Sequence, residues 1–181
     1  MLKTLRQKST AVIFQNPWWE YRKDNYEHPD GSDGEYHYIR TEGSVMVIAI
    51  TEEKRIIFVR QYRYLNRREG LEFIGGGIKH GMTAEKSALE ELQEEAGYTA
   101  TKLTKMGEFN PMNGVTDEIC NIYVAESLKK SARNTDSSEE FEIEEFEYRE
   151  VLELIREKKI WDGMTLAAFA LFNQVNKDFL A

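Results

Sequence analysis

The sequence predicts an α+β fold in which a mixed β-sheet is flanked by helices. Segments rich in β-branched and aromatic residues, joined by polar turns, occupy residues 10–64. Helical periodicity appears at 83–97 and returns near the end of the chain. A chain in which strands dominate the first half and helices come last belongs to this class.

The size and composition indicate one domain with a core of its own. The chain has 181 residues, of which 41% are hydrophobic, and no linker separates independent domains. A net charge of -8 argues against nucleic acid or an anionic membrane as a partner held by bulk electrostatics. With one cysteine, no signal peptide and no membrane-spanning run, the protein is expected to be cytoplasmic.

The central strands can be placed from alternation and turn residues. Residues 36–50 and 56–64 carry β-branched residues and read as strands joined by a polar turn. Two more strands are predicted at 102–109 and 118–128. The second of these contains Cys120, which we expect to be a buried structural thiol.

The C-terminal part is predicted to contain one more strand and two helices. Residues 140–149 read as a strand whose charged side chains face water. The spacing of apolar residues then becomes helical at 149–159, and a more apolar helix is predicted at 164–175. These helices complete a mixed sheet flanked by helices.

The helix predicted at 83–97 carries a crowded set of carboxylates. Thr83 is a plausible N-cap, and Gly97 is a natural C-terminal stop. Glutamates at 90, 91, 94 and 95 fall within an arc of about 140°, and alanine and leucine occupy the other side. Like charges one turn apart destabilise a helix by about 0.2 to 0.5 kcal/mol per pair, and only Lys86 offers obvious relief.

Two interpretations of this acidic face are open. It can be an ordinary solvated surface, as most charge runs are. Alternatively, the glycines at 75–77 enter this helix, and glycine lets a backbone carbonyl approach an ion or a phosphate closely. Carboxylates one turn apart and a loop carbonyl make an oxygen-only site suited to Mg²⁺ or Mn²⁺. Such ions polarise a diphosphate and activate water against it.

The stretch 76–98 resembles the Nudix box, written G-x5-E-x7-R-E-U-x-E-E-x-G-U with U an apolar residue. The spacing is kept without a gap. The matching positions are Gly76, Glu91, Leu92, Glu94, Glu95, Gly97 and, as an acceptable last residue, Tyr98. The resemblance implies an α/β/α sandwich with a mixed sheet between helices. It also implies a small N-terminal antiparallel sheet at 1–42, not independent, that contributes to a homodimer, with the Nudix domain at 43–181.

Two positions depart from the box. Met82 stands where the family has its first Glu, and Glu90 stands where it has an Arg. In the family that Arg helps to orient the metal-binding Glu, and the first Glu supports the packing of loop on helix. Their loss weakens the contacts that align the ligands. The carboxylates implied to bind metal, Glu91, Glu94 and Glu95, remain present.

The flanking segments resemble the ADP-ribose and nucleoside-diphosphate-sugar pyrophosphatase branch of the family. Residues 58–64 look like a strand of that branch that ends in Gln-Tyr-Arg, and 71–77 look like its approach to the box. The resemblance implies that Arg63 and Glu72 bind substrate and that the Gly75 carbonyl binds metal. Arg60, Arg63, Arg67 and Arg68 form a basic cluster that suits a diphosphate, although the last two read as ordinary exposed charges in a turn.

Further site residues follow from the same resemblance. Gly114 and Glu118 match a substrate-binding loop of the branch, but Asn113 replaces a proline that tends to accompany ADP-ribose preference, which favours another sugar nucleotide. A glutamate that acts as general base or binds an additional metal is expected in the acidic run before the last helices, at Glu139 or, next, Glu140. An ordinary solvated charge run is the alternative. Trp19 could stack on a base because an aromatic face accepts any nucleobase, and packing in the core or a dimer is the alternative.

The sequence therefore predicts a metal-dependent hydrolase of a nucleoside diphosphate sugar that requires Mg²⁺ or Mn²⁺. The products would be a nucleoside monophosphate and a sugar phosphate. The alternative is a catalytically weakened Nudix domain that binds nucleotides or regulates a partner, because fold does not guarantee activity. Hydrolysis of a nucleoside triphosphate or a capped RNA is less attractive, given the net charge and the flanking patterns.

Overall fold

The computed structural model describes residues 4–133 and 142–175, and these divide into two compact units. The first unit contains the described residues up to Gly43 together with Asn110–Ile119. The second contains Ser44–Phe109 and the described residues from Cys120 onward. The chain therefore leaves the second unit once, for ten residues, and returns to it.

The first unit is built on a three-stranded antiparallel sheet. Its strands are β1 (Arg6–Gln15), β2 (Glu20–Glu27) and β3 (Asp33–Arg40), and they lie in the order β1-β2-β3. The 110–119 segment bonds to β3: the Ile39 amide donates to the Val115 carbonyl at 2.9 Å. All ten residues of β1 are exposed. One edge strand of this sheet is thus open to solvent.

The second unit is built on a seven-stranded mixed sheet flanked by helices. Five strands follow the order β10-β5-β4-β9-β8, while β6 pairs with β5 and β7 with β4. Strands β4 and β9 are parallel, and the other described pairs are antiparallel. The elements are β4 (Ser44–Ile50), β5 (Ile56–Arg63), β6 (Arg68–Glu72), β7 (Ile74–Gly77), α1 (Ala84–Ala96), β8 (Tyr98–Phe109), β9 (Cys120–Lys130), β10 (Glu142–Phe146), α2 (Tyr148–Arg156) and α3 (Gly163–Val175).

The core of the second unit has two layers, one on each face of the sheet. Met46, Ile48 and Ile50 of β4 pack on one side with apolar residues of α2 and α3. The intervening residues of β4 pack on the other side with Ala88 and Leu92 of α1. Because successive side chains of a strand point to opposite faces, helices cover both faces of this strand. This arrangement confirms the predicted α/β/α sandwich. Cys120 is buried, as expected.

The prediction of one strand at 36–50 is wrong. Gly43 has φ = 96° and separates β3 from β4, which belong to different sheets. A positive φ is readily adopted by glycine and seldom by other residues. All seven residues of β4 are buried, so its near-continuous apolar run reflects a strand covered on both faces.

The caps of α1 are confirmed, whereas the boundary after β10 differs. The Lys86 amide donates to Thr83 Oγ1 at 3.3 Å, and Gly97 ends the helix with φ = 71°. The strand predicted to reach residue 149 ends at Phe146. The Glu147 amide donates to Glu150 Oε2 at 2.7 Å, so a capping box starts α2 at this point. None of the helices α1 to α3 that the structure describes has the length and hydropathy to span a bilayer.

Candidate functional site

Two glycines of β7 lie directly against two carboxylates of α1. The Gly75 amide donates to Glu95 Oε2 at 3.0 Å, and Glu95 is buried. A Cβ atom at Gly76 would lie only 2.4 Å from Glu91 Oε1. The backbone of β7, called the glycine strand below, therefore fixes where these carboxylates can lie. A side chain at Gly76 would collide with Glu91.

Two further carboxylates of α1, those of Glu90 and Glu94, contact a lysine that precedes the helix. Lys79 Nζ lies 3.5 Å from Glu90 Oε2 and 3.4 Å from Glu94 Oε1. Lys86 Nζ lies 3.9 Å from the other oxygen of Glu90. The four glutamates thus form two different pairs, one against glycine backbone and one against an ammonium group. The sequence pointed to Lys86 alone because Lys79 lies outside the helix and its approach depends on the fold.

The charge on Lys79 is stabilised by this arrangement. Partial burial acts to lower the pKa of Lys79, but the carboxylates of Glu94 and Glu90 outweigh it, so the pKa lies above its ordinary value. The cation therefore stays charged at neutral pH and offsets part of the repulsion on the acidic face.

Arg63 and Glu72, predicted separately as substrate-binding residues, form an ion pair. Arg63 Nε donates to both Glu72 oxygens, at 2.9 and 3.1 Å, and Nη2 donates to Oε2. Glu72 is only 2% exposed, and Gln61 Nε2 donates to it at 3.4 Å. The pKa of Arg63 is raised by its hydrogen bonds to Glu72, against the effect of burial, and further by the charges of Glu72, Asp162 and Glu95. The pair therefore lies within electrostatic reach of Glu95.

Trp161 adjoins this pair. A Cβ atom at Gly70 would lie 2.9 Å from Glu72 Oε1 and 3.2 Å from the Trp161 ring. The Arg68 guanidinium lies 3.6 Å from the centroid of that ring, a cation–π contact. Arg68 is exposed, as predicted, and the contact with Trp161 adds a partner that the sequence did not indicate. Arg60, of the same basic cluster, pairs with Glu144 at 2.5 Å.

Asp162 anchors the start of α3 to the sheet. Its Oδ2 accepts a hydrogen bond of 2.7 Å from the Thr165 amide, and Thr165 Oγ1 accepts one of 3.1 Å from the Phe73 amide. This chain of bonds fixes the residue that follows Glu72. An Asp three residues before a Thr, ahead of an apolar run, is a capping signal that the sequence contained.

Comparison with known proteins decides the family. A family model described as NUDIX domain matches residues 40–169, which is more than half of the chain. This chain belongs to the Nudix family. The match spans the glycine strand, α1 and the Arg63–Glu72 pair.

Nudix relatives of known name cover most of the chain. An ADP-ribose pyrophosphatase of Bacillus subtilis (strain 168) is 33% identical over 171 residues, which is 92% of each chain. A methanol dehydrogenase activator of Bacillus methanolicus is 34% identical over 161 residues, covering 88% of this chain and 87% of the relative. A GDP-mannose pyrophosphatase of Escherichia coli (strain K12) is 26% identical over 137 residues, covering 71% and 72%.

A solved structure shares the fold. It is described as an ADP compounds hydrolase, with a TM-score of 0.86 over 98% of this chain and 97% of that one. The sequence identity is 20%, so this likeness concerns the fold. The Nudix fold predicted from the box is confirmed.

The Nudix box of this chain has a donor set that fits a hard dication. Glu91, Glu94 and Glu95 could supply carboxylate oxygens, and Gly75, whose amide bonds to Glu95, could supply a backbone carbonyl. Among residues 4–133 and 142–175, however, no three His, Cys, Asp or Glu side chains converge closely enough to hold a metal as they stand. A site that used three glutamates of α1 would therefore require their side chains to turn toward one another.

The other predicted site residues lie elsewhere in the Nudix chain. Gly114, Glu118 and Trp19 belong to the first unit. The Gly114 carbonyl accepts a hydrogen bond of 3.0 Å from the Tyr36 hydroxyl. Trp19 packs against Phe14, with 5.6 Å between ring centroids. Glu139 and Glu140, the predicted base and its alternative, lie outside the described residues.

Proposed function

We propose that this Nudix protein hydrolyses the diphosphate bond of a nucleoside diphosphate sugar, giving a nucleoside monophosphate and a sugar phosphate. The observation that carries the proposal is the packing of Glu91 and Glu95 against the glycine strand, within electrostatic reach of Arg63. The names of the relatives, an ADP-ribose pyrophosphatase and a GDP-mannose pyrophosphatase, support the substrate class.

Glu91, Glu95 and the Gly75 carbonyl would hold Mg²⁺ or Mn²⁺, and Glu94 would bind or orient it. Such an ion, when bound, supplies Lewis acidity that polarises the diphosphate. The Gly75 amide holds Glu95 in place through its hydrogen bond. Gly76 leaves room for the carboxylate of Glu91.

Arg63 would stabilise negative charge on the diphosphate. Its Nε and Nη2 donate to Glu72, which leaves the donors of Nη1, and 46% of the side chain is exposed. Glu72 thus fixes the orientation of the guanidinium, and a pre-oriented cation stabilises developing charge without reorganisation. On the resemblance alone, Glu139 is assigned as the base that accepts the proton of the attacking water, and Gly114, Glu118 and Trp19 as substrate contacts.

A panel assay tests this function. ADP-ribose, GDP-mannose and other sugar nucleotides are incubated with the protein, with and without Mg²⁺ or Mn²⁺, and nucleoside monophosphate release is measured. We expect turnover of at least one of them that depends on the ion. The absence of ion-dependent turnover on the whole panel, with the protein folded, would contradict the enzyme proposal.

A second candidate function is a nucleotide-binding or regulatory Nudix domain with weakened chemistry. The observation in its favour is the loss of two box residues, at Met82 and Glu90. The name of one relative, methanol dehydrogenase activator, is also that of a regulator. This candidate predicts nucleotide binding by calorimetry without turnover. The double substitution Met82→Glu, Glu90→Arg would then raise activity, and an unchanged rate would show that these positions are not limiting.

A homodimer is proposed through strand β1. Val12, Ile13 and Phe14 are each about half exposed on an edge strand, and an exposed apolar edge is a surface that another chain can cover. The second copy is expected as the occupant because the resemblance implies a dimer through this region.

A cytoplasmic location is proposed as well, on the grounds of one buried cysteine.

Charge on β1 should dissociate this dimer. Ile13→Glu would place a carboxylate in the apolar contact, so sedimentation equilibrium should show a monomer where the natural protein shows a dimer. Glu53→Lys, at an exposed turn of the second unit, is the control and should leave the mass unchanged. A dimer that survives Ile13→Glu at micromolar concentration would contradict the assignment of this strand.

A further inference from the structure

Backbone contacts of the turn that precedes α1 hold the main chain of Lys79 in place. The Met82 amide donates to the Lys79 carbonyl at 2.9 Å, and Gly81 turns the chain with φ = 79°. Thr83 then caps the helix. The turn therefore fixes the main chain of Lys79 relative to α1, while its four-carbon side chain remains free to swing between nearby carboxylates.

The candidate metal ligands are held by two different kinds of partner. The glycine strand contacts Glu91 and Glu95 through rigid backbone. Glu94 instead contacts the ammonium of Lys79, whose side chain is 56% exposed and can move. Lys79 also contacts Glu90, so one ammonium group lies between the two carboxylates. A dication that takes an oxygen of Glu94 must therefore compete with Lys79 for it.

We infer that Lys79 is a positioning residue that competes with the divalent ion for Glu94, and that Glu90 retains the lysine once Glu94 has been released. The inference rests on the proposed function, in which Glu94 serves the ion. It gives Glu90 a role: with Glu90 present, Lys79 can leave Glu94 and still keep an ion pair. The acidic residue that departs from the box is then the partner of a cation supplied by the preceding turn.

Calorimetric titration of the full chain with Mn²⁺, and then with Mg²⁺, tests this inference. Lys79→Met should tighten binding about threefold, a change consistent with the strength of one exposed ion pair. Lys79→Arg keeps the charge and should bind like the natural protein. Lys86→Met is the matched control, because it removes the same charge from Glu90 but lies two turns away from Glu94. Equal effects of Lys79→Met and Lys86→Met would overturn the inference.

A double-mutant cycle separates positioning from a general field effect. Glu90→Gln should weaken ion binding, because Lys79 then loses one of the two ion-pair partners that it has among the described residues and stays on Glu94. In the Lys79→Met background the same substitution should lose most of its effect, since its influence acts through the lysine. Strictly additive changes would overturn the positioning role. Because these titrations contain no substrate, their outcome decides the role of Lys79 whether or not a sugar nucleotide is hydrolysed.

Discussion

Replacing Gly76 by alanine is expected to remove most of the hydrolytic activity while the protein stays folded. The added Cβ atom would lie 2.4 Å from Glu91 Oε1 and 2.6 Å from the carboxyl carbon. These atoms are the end of a flexible side chain, so the carboxylate can move away at small cost in stability. A displacement of about 1 Å in a catalytic site can cost about 100-fold in rate, and we expect a fall in kcat/KM of that order.

The neighbouring glycines provide two controls, a neutral substitution at Gly77 and a destabilising one at Gly75. A Cβ atom at Gly77 would meet no atom within 4 Å, so Gly77→Ala should change neither activity nor stability appreciably. A Cβ atom at Gly75 would lie 2.3 Å from the Val45 carbonyl oxygen of the adjacent strand. Gly75→Ala should therefore lower the free energy of unfolding by about 3 kcal/mol, at the upper end of overpacking costs.

Steady-state kinetics and thermal unfolding of the three variants, with a sugar nucleotide that the natural protein hydrolyses, check this series. The decisive comparison is between Gly76→Ala and Gly77→Ala, which differ by one position in the same strand. If Gly76→Ala kept the natural kcat/KM, the position of Glu91 would not matter for the reaction. If it unfolded the protein instead, the collision would have been relieved through the backbone.

Replacing Arg63 by methionine is expected to lower the free energy of unfolding by about 2 to 3 kcal/mol. Glu72 is 2% exposed and pairs with Arg63 through three hydrogen bonds. Without the guanidinium, a buried carboxylate would lose its counter-charge. Removal of one partner of a fully buried pair costs about 3 to 5 kcal/mol, and the partial exposure of Arg63 reduces this value. Urea denaturation monitored by circular dichroism measures the change.

Arg60 on the same strand is the matched control for Arg63. Its ion pair with Glu144 is between two partly exposed side chains, so Arg60→Met should cost less than about 1 kcal/mol. The double variant Arg63→Met, Glu72→Met replaces the pair by apolar side chains and should regain much of the lost stability. Equal destabilisation by Arg63→Met and Arg60→Met would mean that the burial of Glu72 does not increase the contribution of its ion pair to the free energy of unfolding.

Features carried by local sequence could be predicted. The caps of α1 at Thr83 and Gly97 follow from the preference of those residues for helix ends. The crowding of four glutamates on one face of α1 follows from helical spacing alone. The spacing of the box added the family, and with it the sandwich and the glutamates implied to bind metal.

Features that depend on contacts between distant segments could not be predicted. Glu72 and Arg63 meet only because β5 and β6 pair in antiparallel register. Trp161 contacts Arg68 although it lies 93 positions later in the chain. Lys79 reaches Glu90 and Glu94 because a turn sets its backbone before α1. In each case the residue type was visible, but its partner was set by the tertiary structure.

The ten residues at 110–119 bear on how this protein can be divided. These residues come from the middle of the chain but belong to the first unit. There, Asp117 Oδ1 accepts a hydrogen bond of 3.2 Å from the Thr41 amide. A fragment that begins at Ser44 would therefore retain this excursion but lose the strand to which it bonds. Deletion of the N-terminal region is thus not a clean removal of a module, because the fragment keeps one of the module's own segments without its hydrogen-bond partners.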